Sequence, residues 1–205
     1  MNAEAIDIVS LKHSQLQEVA SLIAEAFVDE PGAVAVIKRG PAKRLRILRK
    51  YFRTQVSLSL PQGVCKCALV DGDIAGVMVI SAPGNESLTT GGMLTFLLRM
   101  LFHATPAIMW RGMKSALEDE ANRPKKPHYF LETIAVQPKV QGRGFGGAMM
   151  SHLTDLADRQ GVLTYLSTSD PKTVPFYEQY GFQVVSKTNS LGIPNFHLVR
   201  NPNKL

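Results

Sequence analysis

The sequence predicts an α/β protein, in the α+β sense, built on one mixed sheet with helices on both faces. Three patterns carry that expectation: two amphipathic helical stretches near the N-terminus, an apolar hairpin after them, and a strand–helix–strand–helix–strand alternation in the C-terminal half. The hairpin demands an antiparallel pair, whereas the strand–helix–strand crossover demands a parallel one, so the sheet has to be mixed. A length of 205 residues suits one domain with a full core better than two. Residues 1–205 are therefore read as a single domain, with a variable helical insertion around 85–127.

Leu11 to Phe27 reads as the first helix, because Leu16, Val19, Ala20, Leu22, Ile23 and Ala26 recur at helical spacing. Pro31-Gly32 breaks it. Ala42 to Leu60 is the second, with Leu45, Leu48, Phe52 and Val56 as its apolar stripe. Lys43, Arg44, Arg46, Arg49, Lys50 and Arg53 are read as mostly covering the remaining surface. Gly63–Leu69 and Ile74–Ile80 are apolar runs joined through Asp71-Gly72, a strong hairpin signal, and Pro83-Gly84 closes the second strand. Asn85 to Pro127 is the least regular region. Its apolar stretch Met93–Trp110 is interrupted by Arg99, His103 and Pro106, too polar and too short for a membrane span, and reads as a helical insertion covering a substrate. From His128 the pattern sharpens into a strand Tyr129–Val136, a helix Gly144–Gln160, a strand Val162–Ser167 and a short helix Thr173–Tyr180. Phe182–Lys187 and Phe196–Val199 are closing strands.

Hydrophobic content of 45% and charged content of 20% exclude wholesale disorder. The net charge of +6 favours an anionic partner, and a cofactor with several phosphates satisfies it as well as nucleic acid does; a soluble protein that is merely basic fits too. Nucleic acid is the weaker partner for the basic second helix, since no aromatic residues interleave where bases would stack. Cys65 and Cys67 share a face of a strand but form neither a disulfide framework nor, without a His or Cys cluster, a metal site, and they read as packing residues of a reduced, cytoplasmic protein. Met1–Ser10 lacks the apolar core of a signal peptide. No membrane partner and no metal are expected, and the chain is expected to be a monomer or homodimer.

The sharpest motif joins the Tyr129–Val136 strand to the following helix: Gln141-Gly142-Arg143-Gly144-Phe145-Gly146-Gly147. Glycines at alternate positions let the backbone approach a ligand without Cβ clashes. The free N–H groups opening the next helix, and its dipole, favour a phosphate there, and Arg143 adds a charge-assisted contact. Gly142, Gly144 and Gly147 also match the dinucleotide fingerprint G-x-G-x-x-G, but context rejects it. Gln137 to Gln141 separate the strand from the first glycine, only Ala148 to Leu205 remain for further β-α units, and Ser167-Thr168-Ser169 stand where the acidic ribose ligand belongs.

Leu131-Glu132-Thr133-Ile134-Ala135-Val136-Gln137-Pro138, followed by Gln141-Gly142-Arg143-Gly144-Phe145-Gly146, resembles the signature of the GNAT superfamily of N-acetyltransferases, whose pattern Q/R-x-x-G-x-G/A falls on Gln141, Gly144 and Gly146. Pro175-Phe176-Tyr177-Glu178-Gln179-Tyr180-Gly181-Phe182 is similar to the family's second conserved segment. Ser167–Phe182 and Ala82-Pro83-Gly84 resemble the puromycin N-acetyltransferase-like branch. The resemblance is sharp over His128–Val185, holds in outline over Leu11–Ile80, and is absent over Asn85–Lys126. It implies a mostly antiparallel sheet of about six to seven strands, splayed at a central parallel pair, with acetyl-CoA in the gap. In that arrangement the backbone of Ile134, Ala135 and Val136 pairs with the pantetheine arm, and a bulge near Thr133 or Ile134 opens the wedge. The N–H groups of Gln141, Gly142, Arg143, Gly144, Phe145, Gly146 and Gly147 hold the pyrophosphate. Asp170 stands where the family often has an Asn that binds the cofactor, and Thr173 where this branch tends to carry another. Phe176 is counted beside the cofactor, although by pattern it reads as core, as does Phe182.

The implied chemistry is attack by a neutral amine on the thioester carbonyl, which requires a proton acceptor. Glu132 is the candidate, on the wedge strand and on one face with Phe130 and Ile134; it either accepts the ammonium proton or orients the acceptor, and a Glu hydrogen-bonded within the sheet is the plain alternative. The N–H of Ile134 or Ala135 is placed to stabilise the oxyanion. Tyr177 is the proton donor to the thiolate, its ordinary pKa being near 10, with a core aromatic as the plain alternative. His103 and His128 are lone histidines, which are more often structural or solvent-facing. The leading function is thus an N-acetyltransferase for a small-molecule or peptide amine. A non-catalytic acyl-CoA-binding sensor and an RNA-associated protein using the basic helix are the alternatives. The acceptor is unnamed by the sequence, and its specificity is assigned to Ala24–Lys50 and Asn85–Lys126.

Overall fold

The computed structural model describes residues 6–61, 63–84 and 90–203. The first five residues of the segment read for a signal peptide, and 85–89 at the start of the insertion, lie outside the described residues. The strands are β1 (Asp7–Ser10), β2 (Gly63–Val70), β3 (Asp73–Ser81), β4 (His128–Val136), β5 (Leu163–Thr168), β6 (Gln183–Ser190) and β7 (Ile193–Arg200). They form one sheet in the order β1-β2-β3-β4-β5-β7-β6. Every neighbouring pair is antiparallel except β4 and β5. That is the mixed sheet the hairpin and the crossover demanded. β1 is an addition: four residues whose pattern is too short to read as a strand, secured by pairing along β2.

The helices are α1 (Leu16–Phe27), α2 (Pro31–Val36), α3 (Pro41–Ser59), α4 (Thr90–Leu101), α5 (Pro106–Asn122), α6 (Phe145–Gln160) and α7 (Val174–Glu178). Pro31-Gly32 does end the first helix but also starts α2. Proline lacks the N–H that is unpaired in a first turn anyway, and Glu30 caps the helix by accepting from Ala33 N at 2.7 Å. The apolar stretch of the insertion is not one segment; it ends α4 and begins α5 on either side of a turn.

Two cores sandwich the sheet. On one face α1 and α3 set Val19, Ile23, Phe52 and Val56 against Cys67, Val77, Val79 and Ala135. On the other, α6 and α7 set Met149, Leu153 and Tyr177 against Met78, Ile80, Leu131 and Leu166. Cys65 and Cys67 are both buried in the first core as free thiols, and burial pushes each thiol up to about 12. They are unreactive packing residues.

Arg44 departs from the surface role expected of it. It is buried, donating to the carbonyl oxygens of Val28 and Arg39 and to Asp29 Oδ1 at 2.9 Å. Its fork satisfies the Val28 carbonyl that closes α1 and the Arg39 carbonyl just ahead of α3, and so fixes the chain between α1 and α3. A helical-wheel position alone cannot separate such an arginine from its solvated neighbours.

The C-terminal strand is anchored by a second arginine. Arg200 donates through Nη1 and Nη2 to both oxygens of Asp158, each at 2.7 Å, and through Nε to Tyr180 O. The hydrogen bonds from Arg200 hold the Asp158 carboxyl below the usual carboxylate value. A depressed folded pKa means the contribution is full above about pH 4 and is lost as pH falls through the folded value. Asp158→Ala leaves a buried guanidinium unpaired and is expected to cost about 3 kcal/mol in urea unfolding at neutral pH. The difference from wild type should shrink on acidification, and a pH-independent difference would contradict the pairing.

Candidate active site

β4 and β5 pair only at His128–Leu163, Tyr129–Thr164 and Phe130–Tyr165. Beyond that point both strands continue but part, while β4 stays paired with β3 as far as Val136. A wedge therefore opens in mid-sheet, with the far edge of β4 left without a partner strand. The register between β3 and β4 passes from Val79–Thr133 to Ile80–Leu131, so Glu132 is an inserted residue. The bulge thus sits one residue before the expected Thr133 or Ile134, at the place where the pair splits.

The bulge changes which side chains share a face. Leu131, Ile134 and Val136 pack on the α6 side, whereas Ala135 belongs to the α1–α3 core and Glu132 reaches α3. Glu132 and Ile134 therefore lie on opposite faces, not on one as strict alternation requires. The main chain sorts the same way. Gln137 N donates to Ala75 O on β3 at 2.8 Å, and alternation turns the polar groups of Ala135 toward β3 with it. Ile134 and Val136 consequently present theirs to the wedge. Gln141 Nε2 donates to Val136 O at 3.2 Å, from that open side.

The glycine loop closes one end of the wedge. Gly142 and Gly144 have φ of +79° and +91°, a region that disfavours side chains. Gly144 caps α6, and the first main-chain bond of the helix runs from Ala148 N to Gly144 O at 2.9 Å. The N–H groups of Phe145, Gly146 and Gly147 come before it and have no acceptor within the helix. Gly146 and Gly147 serve packing instead: a Cβ would stand 3.4 Å from Phe176 at the first and 2.7 Å from the Tyr180 hydroxyl at the second. Arg143 is exposed with its guanidinium 5.8 Å from the Phe145 ring centroid, while the ring itself is buried. These features fit a diphosphate at the loop and an extended amide-bearing arm along β4.

Across the wedge, the β5 end turns back through Asp170, whose carboxylate accepts from Lys172 N at 3.0 Å. Thr173 donates to Asp170 O and meets Thr168 Oγ1, both at 2.8 Å. Both side chains thus shape the turn that leads into α7. Tyr177 follows, with its ring against Phe176 and Phe182 and no hydrogen bond to its hydroxyl found among the described residues. Burial first, then the Glu30 carboxylate, push its phenol up to about 12, above the ordinary value near 10.

On the α3 side, Glu132 accepts from Gln55 Nε2 at 3.0 Å, from Ser59 Oγ at 3.2 Å and from Ser81 Oγ. A carboxylate offers about four lone-pair sites, so one remains for a further donor. Gln55 and Ser59 stand one turn apart on α3, polar residues facing inward, a signal the sequence did contain but which the apolar stripe masked. Nearby, burial and the charges of Glu132 and Asp119 push the Tyr51 phenol up to about 12. Burial also raises the carboxyl of Asp119, which accepts from Asn195 Nδ2 at 2.7 Å, and lowers the imidazole of His197, which is bonded to Tyr165 at 2.8 Å and Thr188 at 3.0 Å. None of this group was legible beforehand, since α5 brings Asp119 to β7 only in the fold. His128 is buried, its Nδ1 donating to Lys126 O at 2.8 Å and its ring edge-on to Tyr165, whereas His103 is exposed. Among the described residues no cluster of His, Cys, Asp or Glu could hold a metal ion.

A mixed sheet split at its parallel pair, with a glycine cradle at the split, defines the class of acyl-CoA-dependent N-acyltransferases. The Acetyltransferase (GNAT) family model matches residues 23–182, and the chain belongs to that family. An uncharacterized N-acetyltransferase of Schizosaccharomyces pombe is 21% identical over 81% of this chain and 70% of its own. The glucosamine 6-phosphate N-acetyltransferase of Trypanosoma brucei brucei is 32% identical over a shorter stretch, 26% of this chain and 36% of its own. Among solved structures, a Corynebacterium glutamicum protein described as histone acetyltransferase HPA2 and related acetyltransferase superposes with a TM-score of 0.70 at 19% identity, covering 98% of both chains. Arylalkylamine N-acetyltransferase 2 of Aedes aegypti superposes with a TM-score of 0.67 at 15% identity, covering 97% of this chain and 99% of that one. The fold is shared throughout, and the protein is an enzyme of the N-acetyltransferase class.

Proposed function

We propose that the protein transfers the acetyl group of acetyl-CoA to a primary amine of a small molecule or peptide, by direct attack with both substrates bound. The wedge carries this reading, because there groups from opposite faces of the sheet can serve a single reacting centre. When bound, acetyl-CoA supplies a thioester carbonyl in the gap. The unpaired edge at Ile134 and Val136 aligns the pantetheine arm as an added strand would. The amides opening α6, with Gly142, Gly144 and Arg143, hold the diphosphate. The Ile134 N–H, turned into the wedge, is the donor for charge developing on the carbonyl oxygen, worth about 3 kcal/mol of barrier. Ala135 is less suited, since its polar groups face β3.

Glu132 meets the amine from the α3 side. Its three neutral donors fix the carboxylate and leave one lone pair for the acceptor's ammonium, whose proton it takes. Tyr177 reaches the gap from the α6–α7 side and offers its hydroxyl hydrogen to the departing sulfur as the carbon–sulfur bond breaks. Glu132→Gln keeps the shape but not the basicity, and kcat is expected to fall about tenfold at neutral pH. The deficit should narrow as pH rises toward the pKa of the amine, because the acceptor then arrives already neutral. A higher KM at every pH with kcat unchanged would make Glu132 an orienting group only.

The deciding experiment is acetyl-CoA thiol release across small amines, polyamines, amino acids and peptides. Turnover with at least one class supports the reading. Calorimetric binding of CoA without turnover on any of them would make the chain a cofactor-binding module instead.

A further inference from the structure

α4 and α5 turn apolar residues outward. On α4 the exposed stripe is Leu94, Leu98 and Leu101, spaced by four and three, and Phe102 at the tip is 86% exposed. On α5 it is Trp110, Met113 and Leu117, with Trp110 64% exposed. The opposite sides of the same helices carry Met100 and Ile108 into the protein. These helices are therefore apolar on both sides; each outward stripe runs along its own helix, and the two helices follow one another through the short turn at 102–105.

Along α4 and the first part of α5 the charges have one sign, and the first carboxylate beyond, Glu118, is engaged by Lys114 at 3.9 Å. Between Ser87 and Leu117 there is no Asp or Glu, while Arg99, Arg111 and Lys114 are present. α3 contains no acidic residue either, and Lys43, Arg46, Lys50 and Arg53 lie exposed along one side of it. α4 packs beside that helix, through Arg99 Nη1 donating to Ser57 Oγ at 3.2 Å and the rings of Tyr51 and Phe96 meeting at 5.5 Å. The basic stripe, which nothing in the acetyl-transfer site uses, thus leads up to the apolar one.

The occupant has to accept apolar side chains and neutralise cations together. A second copy docking through the same stretch would bring the cations of 88–116 and no carboxylate to meet them. An anionic phospholipid surface meets both demands: its acyl boundary takes Leu, Phe and Trp, and its headgroups take Lys and Arg. We propose that the α3–α4–α5 face lies on an anionic bilayer surface, with the outward stripes of α4 and α5 in the acyl boundary and the α3 cations among the headgroups. Among the described residues no helix is long and apolar enough to cross a membrane, and lying on a surface requires none.

Trp110 is the only tryptophan, so its emission reports the proposed contact directly. The full chain is mixed with vesicles of phosphatidylcholine alone, or with about one-third phosphatidylserine, and followed by Trp emission and flotation. A blue shift and flotation with the anionic vesicles only, reversed by high salt, are expected. Lys50→Ala with Arg53→Ala should weaken binding roughly thirtyfold, and Leu98→Ser with Phe102→Ser should abolish the shift. Thermal melting checks that the variants fold; should one fail, the wild-type contrast between the two vesicles still decides. No shift with either vesicle, or equal binding to both, would overturn the proposal. A dimer that buries Trp110 without lipid would assign the face to a second copy.

Discussion

Replacing Tyr177 by Phe is expected to lower kcat about a hundredfold while CoA affinity stays within about twofold. The ring is held by Phe176 and Phe182, and these contacts survive the change. The hydroxyl has no hydrogen-bonding partner among the described residues, so its removal leaves no group unsatisfied and a loss of rate cannot be a loss of folding. What disappears is the proton offered to the sulfur. Burial has raised the phenol to about 12, so it stays protonated through the working pH range, and its ionisation should not limit the rate below about pH 11. The same shift makes it a weaker acid than an ordinary phenol by about two pH units, a cost of about 2.7 kcal/mol for a separate proton transfer. The hydroxyl therefore acts while the carbon–sulfur bond is breaking, by hydrogen-bonding the leaving sulfur as charge builds. Unchanged kcat in the Phe variant would remove Tyr177 from the chemistry.

The elements legible in the sequence are those with a local cause. Asp71-Gly72 sets a hairpin turn, with positive φ at both residues. The glycine loop before α6 needs positive φ at Gly142 and Gly144, and the amphipathic periods of α1, α3 and α6 are long enough to be unambiguous. What was not legible depends on partners far along the chain. β1 is four residues long and exists through β2. Arg44 lies among five other basic residues on one helix, and only its meeting with Asp29 and the end of α1 distinguishes it. The bulge beside Thr133 was anticipated, but its exact register is set by β3, and with that went the face of Ile134. Asp119 and His197 come together across β7 through packing that no spacing announces.

Gly144→Val should weaken CoA binding about a hundredfold, and the reason can be isolated from strain. At φ +91° a β-branched side chain pays about 1–3 kcal/mol or forces the loop to another conformation. If the loop moves, the N–H groups of Phe145, Gly146 and Gly147 no longer converge on one point, and the diphosphate loses its donors. Gly161 provides the control. It caps the other end of the same helix at φ +64°, and a Cβ there meets nothing within 4 Å. Gly161→Val likewise puts a β-branched side chain at positive φ on α6, but at the end away from the wedge. Both variants should melt at lower temperature than wild type, but only Gly144→Val should lose calorimetric heat on titration with CoA. Because the N–H groups at that end also carry the positive pole of the helix, the loss should be larger for CoA than for its dephosphorylated pantetheine fragment. Equal loss of CoA binding in the two valine variants would mean that helix stability alone governs binding, and the main-chain cradle would lose its role.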